Sequence, residues 1–459
     1  MKEHLSALLD YAYERGMIGK LDESYAVNKI LALIGGDDFE WTEHREFANI
    51  DEILAGLLDF AAQNGKLEDN TITYRDILAA EIMDNFTPRP GELVEKFFKK
   101  YENSPVEATD YFYALSQDNN YIMTERIKKN IIWKTMTKYG EIDITINLSK
   151  PEKDPKEIAK AKTMKQSGYP KCLLCKENVG IRGNASHPAR TNHRIIPLTL
   201  AGEEWFFQYS PYVYYNEHCI GLSGEHTPMK IDRKTFQRLL DFVTIFPHYF
   251  IGSNSDLPIV GGSILTHNHF QGGNYEFTMA KQPIKKEFTF AGFEDVRAGI
   301  VDWALSTIRL ISEDKEKLCD LGEKILNVWR EYSDEENDII AYTDQLHNTV
   351  TSIARKRDGK YELDLILRNN RTSSEHPDGI FHAHSEYHHI KKEGIGLIEA
   401  MGLAVLPPRL LEQFPNMDDA KKKEIGEIFA KILENCGVFK DTEKGMNGFV
   451  RFMETVNGK

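Results

Sequence analysis

The hydrophobic period of this chain changes near Glu141, and that change constrains the fold more than any other feature. Upstream, apolar residues recur at helical spacing. Leu5, Leu8, Leu9 and Ala12 form one stripe that Gly16 is placed to end. Ile53, Leu54, Leu57 and Leu58 form another, with Asp51 placed to cap it and Gly65 to end it. The FTPRPG stretch at 86–91 breaks the pattern before a helix through Phe97 and Phe98. From Glu141, EIDITINL alternates apolar and polar residues as a half-buried strand does. Residues 1–150 carry no reactive constellation and read as packing and interface material.

Residues 171 to about 290 read as strand-rich, with extended runs at Trp205–Tyr209 and Cys219–Leu222. One helix lies between them and the next histidines: Asp232 caps it, and Phe236, Leu239, Leu240, Val243 and Phe246 are its buried stripe. Ile264 and Leu265 then lead, as a strand, into THNHFQGG. Residues 295–335 and 418–437 read as helices, and Tyr361–Leu367 alternates as a strand. The charged stretch Lys150–Lys165 is a candidate boundary. The expected division is a helical region 1–150, a catalytic half 151–295 and a second half 296–459. A strand followed by His-x-His occurs near 267 and again near 382, which suggests a duplicated module. The expected fold class is α+β, a mostly antiparallel and duplicated sheet with N-terminal helices alongside.

Composition removes several functions. Fifty-seven Lys and Arg against 71 Asp and Glu give a net charge of -14, which argues against a broad basic face for nucleic acid or an anionic membrane. No apolar run reaches the ~20 residues that cross a bilayer. The N-terminus reads as an amphipathic helix and not a secretory signal, so a cytoplasmic protein is expected. Five cysteines, two of them as Cys172-x-x-Cys175, suit a reducing compartment.

Thirteen of the 15 histidines lie between His187 and His389. Cys172 and Cys175 on a turn can grip one tetrahedral zinc with two further ligands; a redox dithiol or incidental thiols are the alternatives. His226, at a strand end, and His267 would complete a Cys2His2 set and leave His269 over. In an extended segment His267, His269 and Gln271 face one side. Two imidazoles and an amide suit phosphoryl transfer, one imidazole attacking phosphorus and the amide bonding a phosphoryl oxygen. A plain metal-ligand pair or a polar strand face is the competing reading. Gly261, Gly262 and Ser263 form a turn that can bring N–H groups to phosphate. Phe381-His-Ala-His384, with His388 and His389, could bind metal, substrate or only water.

The ordered motifs CLLCKENVGIRGNASHPARTNHRII, NEHCIGLSGEHTPM and GGSILTHNHFQGG resemble the galactose-1-phosphate uridylyltransferases of the second bacterial type, within the histidine-triad superfamily. ATDYFYALSQDNNYI and HHIKKEGIGLIEAMGLAVLPPRL extend the resemblance over essentially the whole chain. It implies exchange of uridylyl between UDP-glucose and galactose 1-phosphate, giving glucose 1-phosphate and UDP-galactose through a uridylylated histidine. On the His-x-His-x-Gln motif it assigns His269 as nucleophile and Gln271 as the phosphoryl contact, with Ser263 grouped with them as catalytic. It assigns Cys172, Cys175, His226 and His267 to zinc, and Arg190, Asn192 and Lys392 to substrate. It implies a homodimer and no nicotinamide, flavin or ATP. Asn268 stands where the better-known type has proline between the histidines. The remaining readings are a dinucleoside polyphosphate phosphorylase or hydrolase, and a nucleotide-sugar-binding protein without turnover.

Overall fold

A computed structural model describes residues 1–149 and 168–458. The boundary read at Lys150–Lys165 lies outside the described residues. The chain divides into two compact units: 1–129, 149–197 and 206–213 form the first, and 130–148, 198–205 and 214–459 the second.

The first unit is mainly helical: α1 (Lys2–Glu14), α2 (Glu23–Ile34), α3 (Ile50–Gln63), α4 (Ile72–Asp84), α5 (Pro90–Tyr101), α6 (Pro105–Asp118) and the single turn α7 (Thr124–Ile127). The expected stripes are buried: Leu5, Leu8 and Leu9 of α1 meet Leu54 and Leu57 of α3 in one apolar core. Gly16 ends α1 with φ +61°, where a Cβ would be strained. The cap of α3 is Asn49 and not Asp51. The Asn49 side chain accepts the Glu52 N–H at 3.0 Å, and Asp51 lies inside the first turn, where its charge opposes the positive helix end.

The second unit carries most of the strand residues. β1 (Ile131–Thr137) and β2 (Gly140–Ile146) form a hairpin, and β13 (Leu403–Leu406) joins β2 in parallel. The large sheet contains β3 (Ile196–Leu200), β4 (Glu203–Tyr209), β5 (Cys219–Ser223), β6 (Phe250–Ser253), β7 (His269–Gly273), β8 (Ile284–Phe288), β9 (Arg297–Val301), β10 (Thr307–Ser312), β11 (Asn348–Arg357) and β12 (Lys360–Asn369). Its order is β3-β4-β5-β7-β6-β11-β12-β10-β9-β8, and every pairing from β5 to β8 is antiparallel. The class is α+β, as expected.

The order also displays the duplication. β4, β5, the helix Arg233–Ile245, β6 and β7 make one strand-strand-helix-strand-strand set. β9, β10, the helix Lys315–Glu331, β11 and β12 make another, arranged in mirror order about the β6–β11 pair. The paired histidines do not mark the repeat. His269 opens β7 of the first half, whereas His382 and His384 follow β12 of the second.

Asp232 caps Arg233–Ile245 as expected, its side chain accepting the Thr235 N–H at 3.0 Å. Other expectations are corrected. Residues 295–335 are not one helical stretch, because β9 and β10 precede the helix Lys315–Glu331, which starts at the Asp314 cap. Ile264 and Leu265 lie outside any strand, and the strand begins only at His269. β6 and β1 were not anticipated.

Candidate active site

The site is built on β7. Its register with β5 places Gln271 opposite Ile220 and His269 opposite Leu222, so His269 and Gln271 share one sheet face. On the other face Phe270 is fully buried and stacks on Trp205, with ring centroids 4.5 Å apart and planes 7° from parallel. This stack fixes the rotation of β7 about its axis and aims the odd-numbered side chains away from the helices. The segment before β7 is pinned to the loop after β5. Asn268 N–H donates to the Thr227 carbonyl at 2.7 Å, and Ser223 N–H to the Asn268 carbonyl at 3.0 Å.

His269 is buried, and its Nδ1 lies 2.8 Å from the His267 carbonyl oxygen. A carbonyl only accepts, so Nδ1 carries the proton and Nε2 the lone pair. Burial holds the imidazole below its ordinary value, against the opposing pull of that carbonyl. The ring is therefore neutral near pH 7, with a defined nucleophilic nitrogen.

His267 is fixed in the same way with the nitrogens exchanged. Its Nε2 lies 3.0 Å from the Ser223 carbonyl, which leaves the lone pair on Nδ1. The His226 ring packs edge-on to it at 4.9 Å. These two imidazoles belong to the second unit.

The Cys172–Cys175 turn belongs to the first. The two Sγ atoms are 3.6 Å apart, far beyond a disulfide and near the ~3.8 Å edge of a tetrahedron with ~2.3 Å zinc–sulfur bonds. Asn178 holds the turn, its Nδ2 donating to the carbonyls of Cys172 at 2.8 Å and Cys175 at 2.7 Å. A thiol pair at this spacing is donor chemistry that zinc selects, and the carbonyl-anchored His267 ring is a donor of the same class. The sequence offered no signal for Asn178 as the clamp.

The first unit also holds a cavity of about 560 Å³ lined by α4, residues 120–127 and the loop 184–192. Arg190 lies on its wall, with its guanidinium 5.5 Å over the Tyr121 ring. The Tyr121 hydroxyl and His187 Nε2 are buried and have no hydrogen-bond partner among the described residues. Asn192 is committed to the backbone: its Nδ2 donates to the Asn119 carbonyl at 2.9 Å, and Asn119 returns the bond at 2.8 Å. Helical residues read from the sequence as packing material thus build the cavity, and Tyr121 and Arg126 on its wall were not singled out.

Ser263 is exposed on the turn before β7. Lys392 is exposed too, whereas its neighbour Lys391 is buried, pairing with Glu399 and donating to the Val405 carbonyl at 3.0 Å. In the second histidine segment His384 stacks on His376 at 4.5 Å, and His388 Nε2 sits 3.0 Å from the Ala383 carbonyl. Among the described residues this segment forms no set of three converging ligand atoms.

Two family profiles match: "Galactose-1-phosphate uridyl transferase, N-terminal domain" over residues 16–228 and the corresponding C-terminal domain over 242–433. The galactose-1-phosphate uridylyltransferase of Halalkalibacterium halodurans is 49% identical, covering 99% of this chain and 98% of that protein. The one from Fusobacterium nucleatum is 48% identical over 99% of both. Among solved structures, yeast Ap4A phosphorylase Apa2 aligns with a TM-score of 0.38 at 13% identity, covering 75% of this chain and 94% of that one. Two profiles that together span most of the sequence, and near-half identity end to end, place the chain in the galactose-1-phosphate uridyl transferase family.

Proposed function

We propose that uridylyl transfer runs here by double displacement through His269. The enzyme exchanges uridylyl between glucose 1-phosphate and galactose 1-phosphate. His269 Nε2 attacks the α-phosphorus of UDP-glucose; the N–P bond forms, the bond to the bridging oxygen breaks, and glucose 1-phosphate leaves. A phosphate oxygen of galactose 1-phosphate then attacks the same phosphorus, the N–P bond breaks, and UDP-galactose leaves. One site serves both half-reactions because both move the same group. The Nδ1–His267 carbonyl bond carries this reading, since it places the lone pair on Nε2 and holds the ring as it becomes cationic.

Gln271 donates from its amide to a non-bridging oxygen of the transferred phosphoryl group, and Ser263 adds a hydroxyl donor. The cavity beside Arg190 takes the nucleotide, its unpaired Tyr121 hydroxyl and His187 nitrogen supplying polar contacts. Asn192 shapes that wall, and Lys392 offers positive charge to a sugar phosphate. Cys172, Cys175, His226 and His267 are the proposed ligands of one zinc ion. Four protein ligands would leave no open position, so the metal would supply rigidity and not Lewis acidity. The reading includes a cytoplasmic homodimer and no nicotinamide, flavin or ATP. No helix among the described residues is long and apolar enough to cross a membrane.

The test is intact mass measurement after incubation with UDP-glucose alone. The expected result is a uridylyl adduct on His269 that galactose 1-phosphate discharges to UDP-galactose. A His269→Ala enzyme that still exchanges sugars at the wild-type rate ends the proposal.

A further inference from the structure

We infer that His218 is a positioning residue for uridylyl transfer, fixing which end of the Gln271 amide faces the phosphoryl group. The inference rests on the role proposed for Gln271.

A glutamine amide has two faces of opposite character, and a half-turn about its last bond exchanges them. Turned one way, Gln271 offers N–H donors to a phosphoryl oxygen. Turned the other way, it offers a carbonyl lone pair, which repels the charge building there. Something must select the first. Gln271 Oε1 lies 3.1 Å from His218 Nε2. The amide oxygen only accepts, so Nε2 carries the proton, and the NH2 group is turned away from His218.

The surroundings hold that donor in place. His218 is 2% exposed and immediately precedes β5. The β5–β7 register puts it across from Gly273 and diagonal to Gln271 on the same face. Gly273 has φ +151°, and a Cβ there would come within 2.9 Å of the Tyr215 ring, so the missing side chain gives Tyr215 its place. The His218 ring lies 4.5 Å from Tyr215 and 5.5 Å from Tyr214. Tyr215 is itself tied down, donating to the Gly272 carbonyl at 3.0 Å. His218 Nδ1 is buried and has no partner among the described residues, so the hydrogen bond to Gln271 is the ring's polar anchor. Burial pulls its pKa down to about 4, which keeps the ring neutral near pH 7, and the bond to Gln271 then selects the Nε2–H tautomer.

The experiment compares four enzymes: His218→Phe, which keeps a ring but removes the donor; His218→Gln, whose amide nitrogen stands in for Nε2; Gln271→Ala; and the double variant His218→Phe/Gln271→Ala. Gln271→Ala is expected to lower kcat about 100-fold. His218→Phe should lower it about 10-fold with little change in KM for UDP-glucose. His218→Gln should recover most of that loss. The double variant should be no slower than Gln271→Ala, because without the amide there is nothing left to position. Thermal midpoints of all four are measured alongside. If Gln271→Ala leaves kcat unchanged, the assignment of Gln271 fails and this inference with it. If Gln271→Ala slows exchange but His218→Phe does not, or the two losses multiply in the double variant, the positioning role alone is refuted. A lowered thermal midpoint with unchanged kcat in His218→Phe refutes it equally.

Discussion

The sheet register runs one row of residues through both halves: Ile220, Gln271, Gly252, Ile353, Asp364 and Arg309. Gln271 and Asp364 stand symmetrically about the central β6–β11 pair. Where the first half places its amide, the second places a fully buried carboxylate. Asp364 receives Arg309 through Nε at 2.8 Å and Nη2 at 3.0 Å, and Arg355 through Nη1 at 2.8 Å; Arg355 also meets Glu362 at 3.1 Å. Arg309 continues to the carbonyls of Gln282 and Met279, tying the 279–282 segment to the sheet. Burial alone would raise the Asp364 pKa, but the two guanidinium groups outweigh it and hold the carboxyl down to about 2. Asp364→Asn removes one of four buried charges and leaves a guanidinium uncompensated. Breaking a buried pair on one side costs about 3–5 kcal/mol. Part of that follows pH. A carboxyl at about 2 in the fold against 3.8 in the open chain contributes about 2.5 kcal/mol at neutral pH. The folded value is the lower one, so this stability is present above about pH 4 and fades as pH falls toward 2. Urea unfolding followed by tryptophan fluorescence is the assay. Four of the five tryptophans, Trp133, Trp205, Trp303 and Trp329, lie in the second unit and Trp41 in the first, so the signal is dominated by the second unit. Wild type and Asp364→Asn should differ by the full amount at pH 7, and the gap should narrow as pH falls from 4 toward 2. A difference under 1 kcal/mol at pH 7, or one that stays constant down to pH 3, refutes the reasoning.

Two further outcomes follow from the site's supports. Phe270→Ala empties a fully buried aromatic position against Trp205 and should cost about 3–5 kcal/mol in the same unfolding assay, with Phe270→Leu much milder; a loss below 1 kcal/mol would show that the stack does not hold β7. Metal analysis of protein purified without added zinc should find one zinc ion per chain, lost on Cys175→Ser with a lower thermal midpoint; zinc retained at full stoichiometry after both cysteines are replaced would remove them from the ligand set.

The sequence was most legible where one physical signal dominated. Asp232 and the Phe236–Val243 stripe defined their helix, and alternation defined β12. It failed where burial erased the period. β10 is buried at five of its six positions, so TIRLIS shows no alternation, and the helix that follows lent it a helical appearance. β1 failed for the opposite reason: Ile132 and Met136 are 64% and 68% exposed, so two of its four apolar residues point outward and only Ile131 and Trp133 pack on the core. Within the site, Cys172-x-x-Cys175 and His267-x-His269-x-Gln271 are local spacings that stand in the sequence itself, whereas His226 is joined to them only as the partner that a Cys-x-x-Cys pair needs. His218 and Asn178 are not. Each acts through a partner set by strand register or by turn closure, and neither is written in neighbouring residues.

The duplicated sheet also accounts for the proposed chemistry falling in one half. A reacting face needs short side chains beside the nucleophile so that aromatic supports and a substrate can approach. On β7 that face carries only His269, Gln271 and Gly273, and a Cβ at Gly273 would come within 2.9 Å of the Tyr215 ring. β12 has no glycine. Its matching face presents Glu362, Asp364, Ile366 and Arg368, all buried; Glu362 pairs with Arg355, Asp364 with Arg309 and Arg355, and Arg368 donates through Nη2 to the Ile395 carbonyl. Its side chains close the face that β7 leaves open. The second half therefore serves as scaffold: its charges anchor the 279–282 segment and its central strand completes the row on which Gln271 is aligned. A histidine placed on β12 would enter a filled charge network with no room for a phosphoryl group, whereas β7 holds an imidazole whose proton is already assigned by a carbonyl two residues away in its own backbone.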